Sequence, residues 1–269
     1  MTGRGPLGRR LDLRGALART LRTLPRVWGT AWGALVLAAA LAAAPLMIPM
    51  SAISCLVWGA ATALASLIAV GALVRVGVSD DGAAAKALGL GPAGFQLGWP
   101  EARLVGALVL CLIFLVMVMT VLALVLLAVF GVADLDLAAI QARDWAAVGP
   151  VWKLMVLGVA AAGAAAIPLL LTVRLSLFAP ATLGRGHMVS LNSMGIAYGS
   201  FWPLLAGLVV TAAPGLVLIA FEQGLALAQP WASVVRSGLL WGLQAPLTIA
   251  FLGSAYRQLE YWTPGEGAS

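Results

Sequence analysis

The sequence predicts an all-α membrane protein, a bundle of six transmembrane helices, and three observations support this fold class. The chain of 269 residues is 62% hydrophobic and 10% charged, with a mean hydropathy of +1.02, whereas globular proteins are about 45–50% apolar and about 25% charged. So few charged residues cannot coat a water-soluble fold. The apolar residues form runs of the ~20 residues that cross a bilayer, and the basic residues cluster between these runs.

Six apolar segments are long enough to span a membrane. The apolar stretch before position 78 is too long for one helix and contains Pro45 and Pro49, so we divide it into two spans with a tight turn near 50–51. Charged or polar segments separate the other four. The predicted spans are about 29–49, 53–75, 103–130, 150–173, 200–221 and 234–256.

Two of the connecting segments have a predicted structure of their own. The acidic segment 132–148 is expected to form a short surface helix that Asp134 caps. The segment 175–199 is only moderately apolar, so we place it at the membrane interface. The whole chain, 1–269, is treated as a single membrane domain.

Residues 1–28 are predicted to form a basic amphipathic helix ahead of the first span. One face carries Leu13, Leu17, Leu21, Leu24 and Trp28 at helical spacing, and a second face carries arginines. A helix of this kind lies in the headgroup region of an anionic membrane. The predicted contacts with anionic lipid are these arginines and one in the interfacial segment: Arg10, Arg14, Arg22, Arg26 and Arg185.

The distribution of Lys and Arg predicts the orientation. With six spans, thirteen of the sixteen basic residues lie on the side that holds both chain ends, and three, Arg143, Lys153 and Arg236, lie on the other. Short cytoplasmic loops carry the excess of basic residues in membrane proteins. We therefore expect a multi-pass protein with cytoplasmic N- and C-termini.

An internal repeat is visible in the sequence. Residues 21–32 align without a gap to 191–202, with identical Leu, Gly and Trp, and the Trp-Pro pair at 99–100 before the third span resembles the pair at 202–203 before the fifth. Each returning helix ends on an arginine, at Arg75, Arg174 and Arg257. The interpretation is three parallel repeats, each an interfacial segment followed by a transmembrane hairpin.

One polar group inside the apolar spans is a candidate site. Gln244 lies two residues before Pro246, with Thr248 one turn further on. Proline cannot donate a backbone hydrogen bond and so frees a carbonyl, and the three residues predict a small polar site within the membrane. The competing interpretation is a Gln244 that hydrogen-bonds a neighbouring helix.

No catalytic, metal or cofactor site is predicted. His187 lacks an orienting acid, and Cys55 and Cys111 sit inside apolar runs without metal-ligand spacing. Nucleic-acid binding is not expected, because the arginines flank apolar spans and no recognition motif accompanies them.

A motif pair resembles one family. Residues 174–182, Arg-Leu-Ser-Leu-Phe-Ala-Pro-Ala-Thr, and residues 199–205, Gly-Ser-Phe-Trp-Pro-Leu-Leu, look like the membrane domain attached to some bacterial glycerophosphoryl diester phosphodiesterases and like related stand-alone inner-membrane proteins. The resemblance implies six spans in a bacterial inner membrane. The 269 residues hold no counterpart of the catalytic domain, so the resemblance implies a membrane module and not the hydrolase activity.

Three functions are weighed on this basis. The leading hypothesis is a non-enzymatic inner-membrane protein for lipid handling, envelope organisation or partner binding, with anionic membrane lipids and a membrane-protein partner as its ligands. The alternative is a small-solute transporter or channel built on the repeats. The third is a membrane enzyme subunit whose catalytic groups come from a partner.

Overall fold

The fold class is confirmed: the computed structural model is a bundle of α-helices with six candidate membrane spans. It describes residues 10–46, 51–133, 137–142, 150–225 and 231–260, and no strand occurs within these ranges. Asp134 and most of the acidic segment around it lie outside the described residues, as does the turn predicted near 50–51 up to Met50. Six helices are long and apolar enough to cross a bilayer, so this is a multi-pass membrane protein.

The helices follow one another closely along the chain. They are α1 Leu13–Ala43, α2 Ala52–Val78, α3 Gly82–Ala87, α4 Trp99–Ala133, α5 Leu137–Ala142, α6 Val151–Leu175, α7 Phe178–Arg185, α8 Ser193–Ile196, α9 Phe201–Leu225, α10 Trp231–Leu239 and α11 Ala245–Leu259. A π-helical turn, Leu240–Gln244, joins α10 and α11. Short 3-10 turns follow α1 at Ala44–Leu46 and precede α4 at Pro92–Gly94. Side-chain caps start two helices, Ser51 at α2 and Asp81 at α3.

The N-terminal helix and the first span form one continuous helix, where the sequence predicts a boundary at 28–29. Pro25 lies inside α1 without ending it. The buried face also differs from the predicted apolar face, because Leu21 is 62% and Trp28 is 41% exposed. The residues that α1 buries are mostly small: Ala16, Thr20, Leu24, Val27, Ala31, Ala34 and Ala38. Small residues let helix backbones approach closely, whereas large apolar side chains need no burial in lipid.

Three helices, α1, α2 and α11, pack on one another at the centre of the bundle. The closest approach joins Gly77 of α2 to Gly253 of α11, where a Cβ added to Gly253 would lie 2.5 Å from the carbonyl carbon of Gly77. Without side chains at these two positions the backbones touch directly. Ala65, Ala69 and Ala34 line the same core.

The hairpin of α4 and α6 lies at the periphery. The two helices pack on each other, and almost no residue in the apolar stretch of either helix is fully buried. Bulky residues of α4 such as Ile113, Val116 and Leu124 are 60–62% exposed. This agrees with the all-round bulk of the third span, which suits contact with lipid.

Each of the six spans has one of its two ends at the same side of the bundle. We call this side the charged end: α1, α4 and α9 begin there, and α2, α6 and α11 end there. The segment predicted as interfacial forms α7 and α8 at this end, and its Leu177, Ala181 and Ile196 are buried with Leu204 and Phe251 in one cluster. The segment therefore lies at the charged end and also packs against α9 and α11.

The three predicted hairpins are present, as α1 with α2, α4 with α6, and α9 with α10 and α11. Short helices lead into the second and third hairpins, whereas the first hairpin begins directly with α1. Each returning helix carries its arginine in the last turn: Arg75, Arg174 and Arg257. The repeat itself stays a prediction, but these three positions are equivalent in the fold.

Candidate functional site

The most deeply buried charges of the described protein are Arg75 and Glu101, at the charged end. Each side chain is 2% exposed, and a terminal nitrogen of Arg75 lies 2.5 Å from Glu101 Oε1. Gly71 leaves room for them, since a Cβ there would lie 3.0 Å from that oxygen. The Arg75 Nε also donates to the carbonyl of Leu88 at 2.8 Å. The pair joins the end of α2 to the start of α4 and leaves neither charge uncompensated.

Gln96 adds a second link between α2 and the loop before α4. Its Nε2 donates to the carbonyl of Ile68 at 2.9 Å. Its Oε1 is buried and has no hydrogen-bond partner within the part of the chain that the structure describes. The amide therefore holds the loop to α2 by one hydrogen bond.

Asp80 ties α1 and α11 to the loop after α2. Its carboxylate pairs with Arg257 of α11, and its carbonyl accepts a hydrogen bond from Arg26 of α1 at 2.5 Å. Arg257 also donates to the carbonyl of Ser79 at 3.1 Å. Arg26, predicted to contact lipid, is thus half-buried and bound to the protein itself.

Arg185 of α7 is held by the last described residue after α11. Its guanidinium makes a bidentate pair with Glu260, with Nε to Oε2 at 3.0 Å and a terminal nitrogen to Oε1 at 2.8 Å. Beside it, Gly184 lets the ring of Tyr256 approach, because a Cβ would lie 2.7 Å from the ring edge. Planar bidentate pairs are the strong form of this interaction. The Arg185 guanidinium therefore has a counterion in the chain, where the sequence predicts a lipid contact.

The other predicted lipid contacts are exposed. Arg10 precedes α1, and Arg14 and Arg22 lie on its outer face, all at the charged end. The structure thus divides the five predicted residues into three exposed arginines and two, Arg26 and Arg185, that bind within the fold.

Arg174 differs from the other two arginines that end returning helices. Its guanidinium carbon lies 5.9 Å from the ring centre of Tyr198, within range of a cation–π contact. Its Nε is buried and has no hydrogen-bond partner among the described residues. Tyr198, just before α9, therefore supplies a cation–π contact to Arg174.

The predicted polar site within the membrane lies at the π-helical turn. The Gln244 side chain packs against Gly215 of α9, where an added Cβ would collide with its Oε1. Thr248 is half-buried one turn along α11. The structure thus places the Gln244 side chain between α9 and the π-helical turn.

Two indoles satisfy carbonyls that prolines leave without their usual helical donor. Pro246 cannot donate to Gly242, and the carbonyl of Gly242 instead accepts from Trp28 Nε1 at 2.8 Å. Pro45 cannot donate to Leu41, whose carbonyl accepts from Trp58 Nε1 at 2.7 Å. A proline in one span and a tryptophan in its neighbour are the sequence signal for such a bond.

Lateral cavities lie between neighbouring spans. One of about 490 Å³ separates α2 from α4 and is bordered by Leu64, Leu67, Leu108 and Phe178. A second of about 370 Å³ lies between α4 and α6, beside Trp152, and a third of about 410 Å³ lies between α1 and α2. Most of their lining is aliphatic, so these cavities suit hydrocarbon.

The candidates for catalysis or metal binding are the His, Cys, Asp and Glu side chains of the described ranges. Among them no group of three or more His, Cys, Asp or Glu side chains is placed to hold a metal ion. His187 is exposed, with its Nδ1 3.2 Å from the carbonyl of Arg185. Ser190, three residues after His187, accepts a hydrogen bond from the Ser193 hydroxyl through its backbone carbonyl.

Sequence reasoning missed the acidic partners at the charged end. Glu101 and Glu260 are far from Arg75 and Arg185 along the chain, and no local pattern pairs them. The sequence offered two signals for such a pair. An arginine ends each returning helix, and in one repeat a glutamate, Glu101, stands directly after Trp99-Pro100 at the start of the next span.

Comparison of the chain with known protein families, curated proteins and solved structures finds no match.

Proposed function

We propose that this protein is a non-enzymatic, multi-pass protein of the bacterial inner membrane that binds anionic lipid at its charged end and so serves lipid handling or envelope organisation. One observation carries the proposal: acidic side chains of the chain itself pair with Arg75, Arg185 and Arg257, whereas the arginines at the start of α1 are exposed on the same end of the bundle.

The exposed arginines have a physical reason to meet lipid headgroups. They lie at the end of a membrane span, where anionic lipids attract basic residues by about 1 kcal/mol each. A cytoplasmic position for this end, and for both termini, agrees with the usual excess of Lys and Arg on that side. The proposal includes a second membrane protein as a binding partner.

The lining of the lateral cavities favours lipid over a polar solute. The cavity between α2 and α4 is bordered by leucines, valines and Phe178, with Ser66 as its polar contributor. A transport path for a polar solute requires hydrogen-bonding groups at membrane depth. Acyl chains need none, so the cavities support the lipid-handling proposal over the transporter or channel.

The experiment is a lipid-selectivity measurement on the whole protein. The wild type and the variant R14Q/R22Q are reconstituted in vesicles of phosphatidylglycerol and phosphatidylcholine, and electron paramagnetic resonance of spin-labelled forms of each lipid reports the fraction held at the protein. We expect the preference for phosphatidylglycerol to fall by up to about thirtyfold in the variant, because two arginines at about 1 kcal/mol each contribute about 2 kcal/mol. The difference should shrink as salt screens the charges beyond ~10 Å.

The matched control is K153Q/R236Q, which removes the same number of charges from the opposite end. It should keep most of the wild-type preference if the arginines of α1 bind the lipid. Equal preference in R14Q/R22Q and the wild type would refute the proposal. An equal loss in both variants would show a response to net charge alone, which also contradicts a site at the charged end.

A further inference from the structure

The three arginines that end returning helices have equivalent places in the fold and unequal partners. Arg75 pairs with Glu101 at 2.5 Å, and Arg257 pairs with Asp80. Arg174 makes no ion pair with any residue in the described ranges, and its Nε is buried without a hydrogen-bond partner there. A partly buried guanidinium needs a counterion or hydrogen-bond acceptors to offset its desolvation. Within the part of the chain that the structure describes, Arg174 is therefore the one of the three arginines without a counterion.

The predicted repeat gives the position in the third unit that corresponds to Glu101 in the second. Glu101 directly follows Trp99-Pro100 at the start of α4, and Leu204 directly follows Trp202-Pro203 at the start of α9. Leu204 is fully buried in an apolar cluster. The third unit therefore has a leucine where the second unit has the acid that neutralises Arg75, and this chain does not supply an anion from that position.

The surroundings of Arg174 face the membrane interface. It lies in the last turn of α6, the helix whose apolar stretch contains no fully buried residue. Tyr198, which its guanidinium contacts, is 55% exposed, and Trp202 is 74% exposed. Tyr and Trp side chains are typical of the headgroup level of a bilayer. An anion that reaches Arg174 from outside the protein therefore comes through the level at which lipid phosphates lie.

We propose that Arg174 binds the phosphate of an anionic phospholipid, with the headgroup beside Tyr198 and Trp202 and the acyl chains against the exposed face of α6. The planar guanidinium suits phosphate because it presents its donors as a fork. This inference rests on the proposed lipid function and deepens it, because it assigns one held lipid to a site separate from the exposed arginines of α1.

The test measures lipid that stays with the full-length protein. The wild type and R174Q are taken from phosphatidylglycerol–phosphatidylcholine vesicles into mild detergent, and native mass spectrometry counts the phosphatidylglycerol that remains bound. We expect the wild type to retain one phosphatidylglycerol molecule tightly. In R174Q, the retained fraction should fall by about tenfold or more, which is the scale of a lost charge-assisted hydrogen bond. R174K, which keeps the charge without the fork, should fall between them.

The charge-matched control is R19Q, which removes an exposed arginine from the same end. It should retain the lipid as the wild type does. Retention of the lipid by R174Q, or an equal loss in R19Q, would overturn the assignment. Displacement of the lipid by inorganic phosphate alone, at concentrations near that of the lipid, would indicate a site for free phosphate and would also overturn it.

The two proposals fail in different measurements. If R14Q/R22Q loses its preference for anionic lipid while R174Q keeps its bound molecule, the function stands and the Arg174 site is wrong. If R174Q loses the bound molecule while R14Q/R22Q behaves as the wild type, the site stands and the exposed arginines of α1 do not carry the function.

Discussion

The charged end and the opposite end of the bundle are built in different ways. At the charged end, ion pairs connect α2 to α4, α2 to α11 and α7 to the end of α11. Toward the opposite end, α4 and α6 enclose a cavity of about 370 Å³, and α1 and α2 enclose one of about 410 Å³. Cross-links therefore concentrate at the charged end, whereas these two cavities lie away from it; the cavity of about 490 Å³ beside Phe178 lies nearer to the charged end.

Glycines within the helices differ in the space around them. At Gly253 and Gly184 an added Cβ would collide with Gly77 or with Tyr256, whereas at Gly59 and Gly158 nothing lies within 4 Å. In lipid, helices gain little from burying apolar surface, so close backbone contact and polar pairs decide where they adhere. The charged end holds the bundle together, and the helices are free to separate where lipid fills the space.

The largest effect should come from the buried ion pair. E101Q keeps the shape of the side chain but leaves Arg75 buried without its counterion, which costs about 3–5 kcal/mol. We expect a correspondingly lower free energy of unfolding, measured by denaturant titration in detergent micelles. K153Q at the opposite end is the control, and a partly exposed charge of this kind should cost less than about 1 kcal/mol. Equal stability of E101Q and the wild type would show that the pair does not hold the charged end.

A methyl group should have opposite effects at the two ends. G253A places a Cβ against the backbone of Gly77, and overpacking of this kind costs about 1–3 kcal/mol. G158A adds the same methyl to α6 in open space, where replacing a helical glycine should stabilise by about 0.5–1 kcal/mol. The same unfolding titration checks both variants. If the two changed stability in the same direction, the difference in packing between the ends would be refuted.

The smallest of these effects should come from the indole hydrogen bonds. W28F removes the donor to Gly242, a carbonyl that Pro246 also leaves without its helical donor, and should cost about 1 kcal/mol. W58F removes the equivalent donor to Leu41 beside the cavity between α1 and α2. Because lipid or water reaches that cavity, we expect W58F to cost less than W28F. Thermal unfolding of both variants measures the order, and the reverse order would contradict it.

Much of the fold is readable in the sequence because hydropathy is a local property. The predicted spans 53–75, 103–130 and 150–173 fall within or nearly within α2, α4 and α6, since runs of ~20 apolar residues must be helical in lipid. The arginines that end the returning apolar runs in the sequence lie in the last turns of the returning helices in the structure. The freed carbonyl at Pro246 was also predictable, because it follows from the missing N–H of proline.

The sequence by itself therefore determined the number of spans, their hairpin order and the crowding of arginines at one end. Only the tertiary structure decided which face of α1 is buried, which acids neutralise Arg75, Arg185 and Arg257, and that Arg174 has no such partner among the described residues. The physical reason is that lipid is as apolar as leucine, so hydropathy cannot identify the buried face of a span. Close packing of small residues determines the buried face, and ion pairs between residues distant in sequence determine the partners of the arginines.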